Sequence, residues 1–230
     1  MIHSESKPNL SPDLPKYQAW RRQMVQQLRE RGIKNKSLLE AMEKLPRQWF
    51  CSETLLDHKL YDIDSAIDIG CGQTISRPYT VAWQTEMLMI EPMMTVMEVG
   101  TGSGYQTAVL CEMGARVFTV ERQNALYRKT KALLSTLRYN VRCYLGDSWD
   151  GIAEMKGFKY DRILVTCGAP EVPTGLMRSL KTGGIMVIPV GDDKEQKMYR
   201  IFKDGDSPDQ WRQEILGDAN FVPMLKGRIF

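Results

Sequence analysis

From residue 95 onward the chain alternates short apolar runs with amphipathic stretches. Runs at residues 95–99, 116–120, 141–145, 162–166 and 185–189, rich in Val, Ile, Leu and aromatic side chains, read as strands. Helical spacing fills the gaps at 105–113, 123–137 and 172–180. Nearly continuous apolar strands separated by helices of this length imply βαβ units, and so an α/β fold with a mostly parallel sheet covered on both faces. After Gly191 the pattern changes, and residues 197–203, 211–216 and 220–225 read as antiparallel strands added at one edge. Upstream, Trp20, Met24 and Leu28, then Leu38, Leu39, Met42 and Leu45, recur at helical spacing across residues 17–45. The break at Arg31-Gly32-Ile33 predicts two helices there, and residues 80–89 predict another. Residues 60–78 have no clean period and read as a long ordered loop, a feature uncommon without a purpose. Residues 1–16, with Pro8, Pro12 and Pro15, read as an arm. The expected layout is one domain over 17–230: helices and a loop at 17–94, a ligand-binding core at 95–191, and edge strands at 192–230.

Composition narrows the function classes. The chain has 230 residues, 43% of them hydrophobic and 26% charged, which argues against disorder. A net charge of +3, from 31 basic and 28 acidic residues, is too balanced for a dedicated nucleic-acid binder. The basic stretch at 17–45 reads as a solvated amphipathic surface. No run approaches the roughly 18 uncharged apolar residues of a membrane span, and the opening residues lack the apolar core of a secretory signal. Cys51, Cys71, Cys111, Cys143 and Cys167 are widely spaced with no C-x-x-C pair, as in a reducing compartment. With only His3 and His58 to join them, no metal site is expected, nor a cysteine nucleophile with a base beside it. A cytoplasmic protein with no membrane or nucleic-acid partner is expected, and a monomer.

The most informative residues are Val96-Met-Glu-Val-Gly-Thr-Gly-Ser-Gly-Tyr105, where an apolar strand runs into three glycines and a helix follows at once. Glycines permit a tight turn and close backbone approach, while the helix start offers free N–H groups, a geometry suited to a nucleoside cofactor. The dinucleotide pattern G-x-G-x-x-G fails in both frames, because Tyr105 and Thr107 occupy the third-glycine positions. A P-loop Gly-Lys-Ser or Gly-Lys-Thr is also absent. Glu98 precedes the glycines, where a carboxylate would repel pyrophosphate yet suit a ligand carrying an ammonium or sulfonium charge. The arrangement resembles that of S-adenosylmethionine (AdoMet) methyltransferases, with their Rossmann-like fold. The loop Gly100, Thr101, Gly102, Ser103 and Gly104 would then bind the cofactor, together with Glu98. Glu121, closing the second strand beside Arg122, can accept ribose hydroxyls, and Asp147 and Ser148, after the third, can meet adenine.

The loop Gly72-Gln-Thr-Ile-Ser-Arg-Pro78 adds substrate information. Followed by a helix and the glycine loop, it resembles the protein-L-isoaspartate O-methyltransferase family. The resemblance runs on through Gly146-Asp147, Tyr160-Asp161, Val172-Pro173, Leu180-Lys-Thr-Gly-Gly184, Pro189-Val-Gly191 and Phe221-Val-Pro223, covering about residues 47–225. It implies methyl transfer from AdoMet, leaving S-adenosylhomocysteine (AdoHcy), to the free α-carboxylate of isoaspartyl residues in damaged proteins or peptides. The ester then collapses to a succinimide and partly to aspartate. It implies that Ser76 donates a hydrogen bond to the substrate carboxylate, that Gln73, Thr74 and Ile75 line the junction of cofactor and substrate, and that Phe221, Val222 and Pro223 pair with the peptide backbone.

Three positions depart from the family pattern. Arg77 stands where relatives carry a neutral residue, and could attract the substrate or face solvent. Ser148 replaces a glycine, and Asp68-Ile-Gly-Cys-Gly72 replaces the usual Pro-Ile-Gly. A methyltransferase of exocyclic amines would carry Asn- or Asp-Pro-Pro-Tyr where this chain reads Thr166-Cys-Gly-Ala-Pro170. A non-catalytic AdoMet-binding protein that recognises isoaspartate would use the same residues and stays open.

Overall fold

The computed structural model describes the whole chain except residues 1–9, 52–56, 148, 150–151, 153–154, 193, 208–209 and 230. Most of the arm and Ser148 therefore lie outside the described residues.

Strands β3 (Thr95–Val99), β4 (Arg116–Glu121), β5 (Arg142–Leu145), β6 (Tyr160–Val165) and β7 (Leu180–Gly191) run parallel in the order β5-β4-β3-β6-β7. Strands β8 (Gln196–Lys203) and β9 (Trp211–Ala219) extend that sheet antiparallel beyond β7, making seven strands. The apolar runs have no polar alternation because both faces are covered. Val96, Val117, Leu164 and Val187 point into a core shared with α1 (Pro15–Glu30), α2 (Lys36–Lys44), α3 (Pro78–Met87) and α4 (Tyr105–Glu112). The residues between them, including Met97, Val99, Phe118, Ile163 and Met186, enter a second core with Leu176 of α6 (Thr174–Ser179). Helix α5 (Asn124–Thr136) joins β4 to β5 and adds Leu133 and Leu134 to the first core.

Three expectations change. Residues 60–78 are not a plain loop: β1 (Ile67–Gly70) and β2 (Gln73–Ile75) form an antiparallel hairpin after a 3-10 turn at His58–Tyr61. The apolar positions Ile67 and Ile69 are too few to register as an alternation. The Asp68 carboxylate accepts from the Gly70 N–H at 2.6 Å, and Gly70, Cys71 and Gly72 all take positive φ (90°, 57° and 66°), which closes the hairpin. Residues 220–225 are not an edge strand. The segment crosses back over the sheet, where Pro223 bridges Gly168 in parallel, and a proline could not have continued a ladder. The arm is anchored from residue 10 and the first helix starts at Pro15. Arg21 pairs with Asp13 at 2.9 Å, and the Trp49 indole donates to the Ser11 carbonyl.

At the amino ends of the central strands, Asp161 clamps three elements. It accepts from the Thr95 N–H at 2.8 Å, the Thr95 hydroxyl at 2.6 Å, and Lys181 Nζ at 2.8 Å. Burial pushes its pKa up, but the bonds from Lys181 and Thr95 outweigh burial and hold it down at about 2. A depressed native pKa gives stability that is present above the unfolded value of 3.8 and lost as pH falls through about 2. Asp161→Asn is expected to cost about 1–2 kcal/mol at pH 7 and to flatten the acid limb of the stability curve. Urea titrations at pH 7 and pH 3 check this.

Candidate active site

The chain runs β3, β4, β5 in one direction across the sheet and then returns to place β6 on the other side of β3. Loops leaving β3 and β6 therefore part company, and an open α/β sheet binds ligands in the crevice this creates. A cleft of about 890 Å³ lies there, lined at the strand ends by Gly100, Glu121, Asp147 and Thr166.

The glycine loop forms one wall. Gly100, Gly102 and Gly104 have φ of 92°, 53° and 84°. A Cβ on Gly100 would lie 2.5 Å from the Thr166 hydroxyl, which itself donates to the carbonyls of Val99 and Gly100 at 2.9 and 2.8 Å. Thr101 exchanges a 2.7 Å hydroxyl contact with Thr119, and Thr130 of α5 donates to the Gly102 carbonyl at 2.6 Å. Gly104 serves as the N-cap of α4 and does not line the cleft.

Glu121 ends β4 with its carboxylate held from two sides, by the Gly102 N–H at 3.0 Å and the Gln123 N–H at 2.9 Å. Each oxygen keeps lone-pair capacity toward the cleft. Asp147 accepts from the Trp149 N–H at 2.8 Å and the Gly227 N–H at 2.7 Å. Arg122 reaches the same tail segment, its Nε lying 3.2 Å from the Gly227 carbonyl. Ile229 pairs beside Gln123, so a strap over 226–229 is fastened to the residues that follow β4.

Hairpin β1–β2 forms the opposite wall. Gln73, Thr74, Ile75 and Ser76 all line the cleft, and the Cys71 carbonyl accepts from Gln123 Nε2 at 3.1 Å. Arg77 is exposed at the mouth. The crossing segment Phe221, Val222 and Pro223 completes the enclosure.

Family comparison can now be set beside this geometry. The family model described as Protein-L-isoaspartate(D-aspartate) O-methyltransferase (PCMT) matches residues 19–228. The chain belongs to that family. A protein-L-isoaspartate O-methyltransferase of Cytophaga hutchinsonii is 47% identical over 205 residues, covering 89% of this chain and 90% of the relative. One from Dictyoglomus thermophilum is 44% identical over 216 residues, covering 94% of each. The fold matches a Plasmodium falciparum structure described as a protein-L-isoaspartate O-methyltransferase in complex with S-adenosyl-L-homocysteine. Its TM-score is 0.76 at 24% identity, over 90% of this chain and 98% of that one.

Two expectations about this member of the isoaspartate O-methyltransferase family need correcting. Glu98 does not reach the cleft. It alternates with Met97 and Val99, shares the face of Val96, and is completely buried, with Oε2 accepting from the Thr107 hydroxyl of α4. Burial pushes its pKa up to about 7, against hydrogen bonds from Thr107 and Thr119. The Phe221 segment also has less backbone to offer a peptide than expected. Phe221 N–H and C=O are both held by the Gln196 side chain, at 2.9 and 3.0 Å, and Val222 C=O accepts from the Gly168 N–H at 2.8 Å. Only the Val222 N–H and the Pro223 C=O lack a partner among the described residues.

Several contributors left no sequence signal. Thr166, Gln196 and Gln123 are ordinary polar residues whose importance comes from what the fold places beside them. Arg47 carried a faint one, as a lone charge within Leu45-Pro-Arg-Gln-Trp-Phe50.

The Glu98 carboxyl makes a pH test. Native Glu98 keeps its proton up to about 7, whereas the unfolded chain releases it near 4.5. The native state binds more protons between those values, so stability falls as pH rises across that window. Glu98→Gln should remove this fall, leaving stability near pH 4.5 little changed and raising it at pH 8 by on the order of 1–3 kcal/mol. Denaturant titration of both proteins at the two pH values reads it.

Proposed function

We propose that the protein transfers the methyl group of AdoMet to the free α-carboxyl group of L-isoaspartyl residues in damaged proteins and peptides, starting their return to aspartate through a succinimide. The observation that carries this is the placement of Gln73-Thr-Ile-Ser76, on its own hairpin, across one cleft from the glycine loop.

The residues present fit the cofactor. The glycine loop leaves no Cβ where the backbone turns, and Glu121 presents a fixed carboxylate with capacity for two hydroxyl donors. We assign the loop 100–103 and Glu121 to cofactor binding, with Asp147 and Arg122 at the adenine end and Gln73, Thr74 and Ile75 at the junction with substrate. When bound, AdoMet supplies a methyl group made electrophilic by its sulfonium.

Substrate chemistry asks little more of the chain than binding and orientation. A carboxylate is already ionised near neutral pH, so no general base is needed. The one histidine among the described residues, His58, packs against Trp20 of α1, in keeping with that economy. Ser76, half-buried in the cleft, donates a hydrogen bond to the carboxylate and fixes its direction without becoming a nucleophile. Val222 N–H and Pro223 C=O hold the peptide main chain, which suits clients of varied sequence. Holding reactants in line is worth roughly 7–11 kcal/mol at best. Five free cysteines support a reducing, cytoplasmic setting.

Incubation with methyl-labelled AdoMet and paired peptides, one isoaspartyl and one aspartyl, is expected to label the isoaspartyl member alone. Equal labelling, or none despite tight AdoMet binding, overturns the proposal. Two variants divide the roles. Ser76→Ala should lose turnover at least about tenfold while binding AdoHcy nearly as the wild type does. Glu121→Gln should weaken AdoHcy binding by about 10- to 100-fold. Calorimetry together with initial rates separates the two outcomes.

A further inference from the structure

Directly behind Ser76 lies a buried charge that has no acidic partner among the described residues. Arg47 is fully buried in the turn that follows α2. Its Nε donates to the Leu60 carbonyl at 2.8 Å, and one Nη donates to the Ser76 carbonyl at 2.7 Å. The other Nη has no hydrogen-bond partner, and the guanidinium lies 4.6 Å from the centre of the Tyr105 ring. Among the described residues no carboxylate is bonded to it.

Among the described residues the other buried cations, Arg21, Arg162 and Lys203, meet either a carboxylate or the carbonyl end of a helix. Arg21 is paired with Asp13. Arg162 donates to the carbonyls of Leu88 and Met89 at the end of α3, and Lys203 to those of Met177 and Leu180 around the end of α6, where helix dipoles present negative charge. Arg47 is placed the opposite way. The Ser76 carbonyl it holds precedes α3, so the nearby helix end adds positive character. An uncompensated guanidinium in the interior is costly and persists where something offsets it.

We propose that Arg47 is a positioning residue for the methyl acceptor: the substrate's α-carboxylate, bound at Ser76, is the anion that completes its charge balance. This rests on the role proposed above for Ser76. Arg47 acts in two ways. By tying the Ser76 carbonyl to the Leu60 carbonyl it fixes the loop that carries the serine hydroxyl. By keeping a positive charge in a low-dielectric wall it raises the affinity of the cleft for an ionised carboxylate over a neutral amide of the same shape. The second action separates an isoaspartyl carboxylate from the amide that occupies the corresponding position in an undamaged chain.

The test compares wild type, Arg47→Lys and Arg47→Met. For each, AdoHcy affinity and melting temperature are measured, with kcat and KM for an isoaspartyl peptide. The binding of that peptide is then compared with the binding of its α-carboxamide analogue, which cannot be methylated. Wild type is expected to prefer the carboxylate peptide at least about tenfold. Arg47→Met should keep AdoHcy affinity within about threefold, raise KM at least about tenfold, and lose the preference. Arg47→Lys, which keeps the charge, should regain most of it. Equal preference in wild type and the methionine variant, or a lysine variant as poor as the methionine one, overturns the proposal. Should the methionine variant fail to fold, shown by loss of AdoHcy binding, the lysine variant and the wild-type preference decide alone: a wild type that binds both peptides equally overturns it. A wild type that binds AdoHcy but methylates no isoaspartyl peptide instead refutes the functional assignment on which it rests.

Discussion

The close approach of two backbones at the carboxyl end of β3 governs the site. Gly100 turns away from β3 with its α-carbon against Thr166, the residue that follows β6, and any larger side chain would meet that hydroxyl. Thr166 is in turn fixed by the two carbonyls it bonds. The crevice is thus created by diverging loops, while its floor is closed by a contact that only glycine permits. The glycine loop follows from that contact. The Gly102 amide reaches Glu121 on the neighbouring strand, and Thr130 of α5 holds the Gly102 carbonyl. Three sequence-distant elements thereby set the position of a few backbone groups.

A second pattern is the use of internal polar groups to shape backbone that has left regular structure. Gln196 imitates a strand for Phe221 by both donating to and accepting from it. Asp68 closes the hairpin turn, and Asp161 clamps the strand starts at the far end of the sheet. The position of Asp68, which departs from the family pattern in sequence, has a local structural reason in that turn. The substrate wall is held the same way, with Arg47 bridging carbonyls from two segments.

The parallel core was legible because burial on both faces leaves its mark on composition alone: β3 is buried at every position and matches its expected bounds. The glycine loop and Glu121 were legible because they need particular residue types. Hairpin β1–β2 was not, since four residues carry too short a period and the turn is made by backbone dihedrals. The crossing of residues 220–225 depends on Gln196 and Gly168, contacts that no local pattern encodes. Strand alternation, and not proximity to the glycines, decides which way the Glu98 carboxylate faces.

The strap over 226–229 is held at both of its ends. Asp147 divides its carboxylate between the turn after β5 and the Gly227 amide, while Ile229 exchanges backbone bonds with the segment that begins α5. These bonds tie the tail to the segments that follow β4 and β5, outside the ladders of the sheet. A ligand that binds only while these bonds are made stabilises them by mass action. The hydrogen-exchange rates of the Gly227 and Ile229 amides therefore gauge how firmly the tail is held beside Asp147 and Arg122.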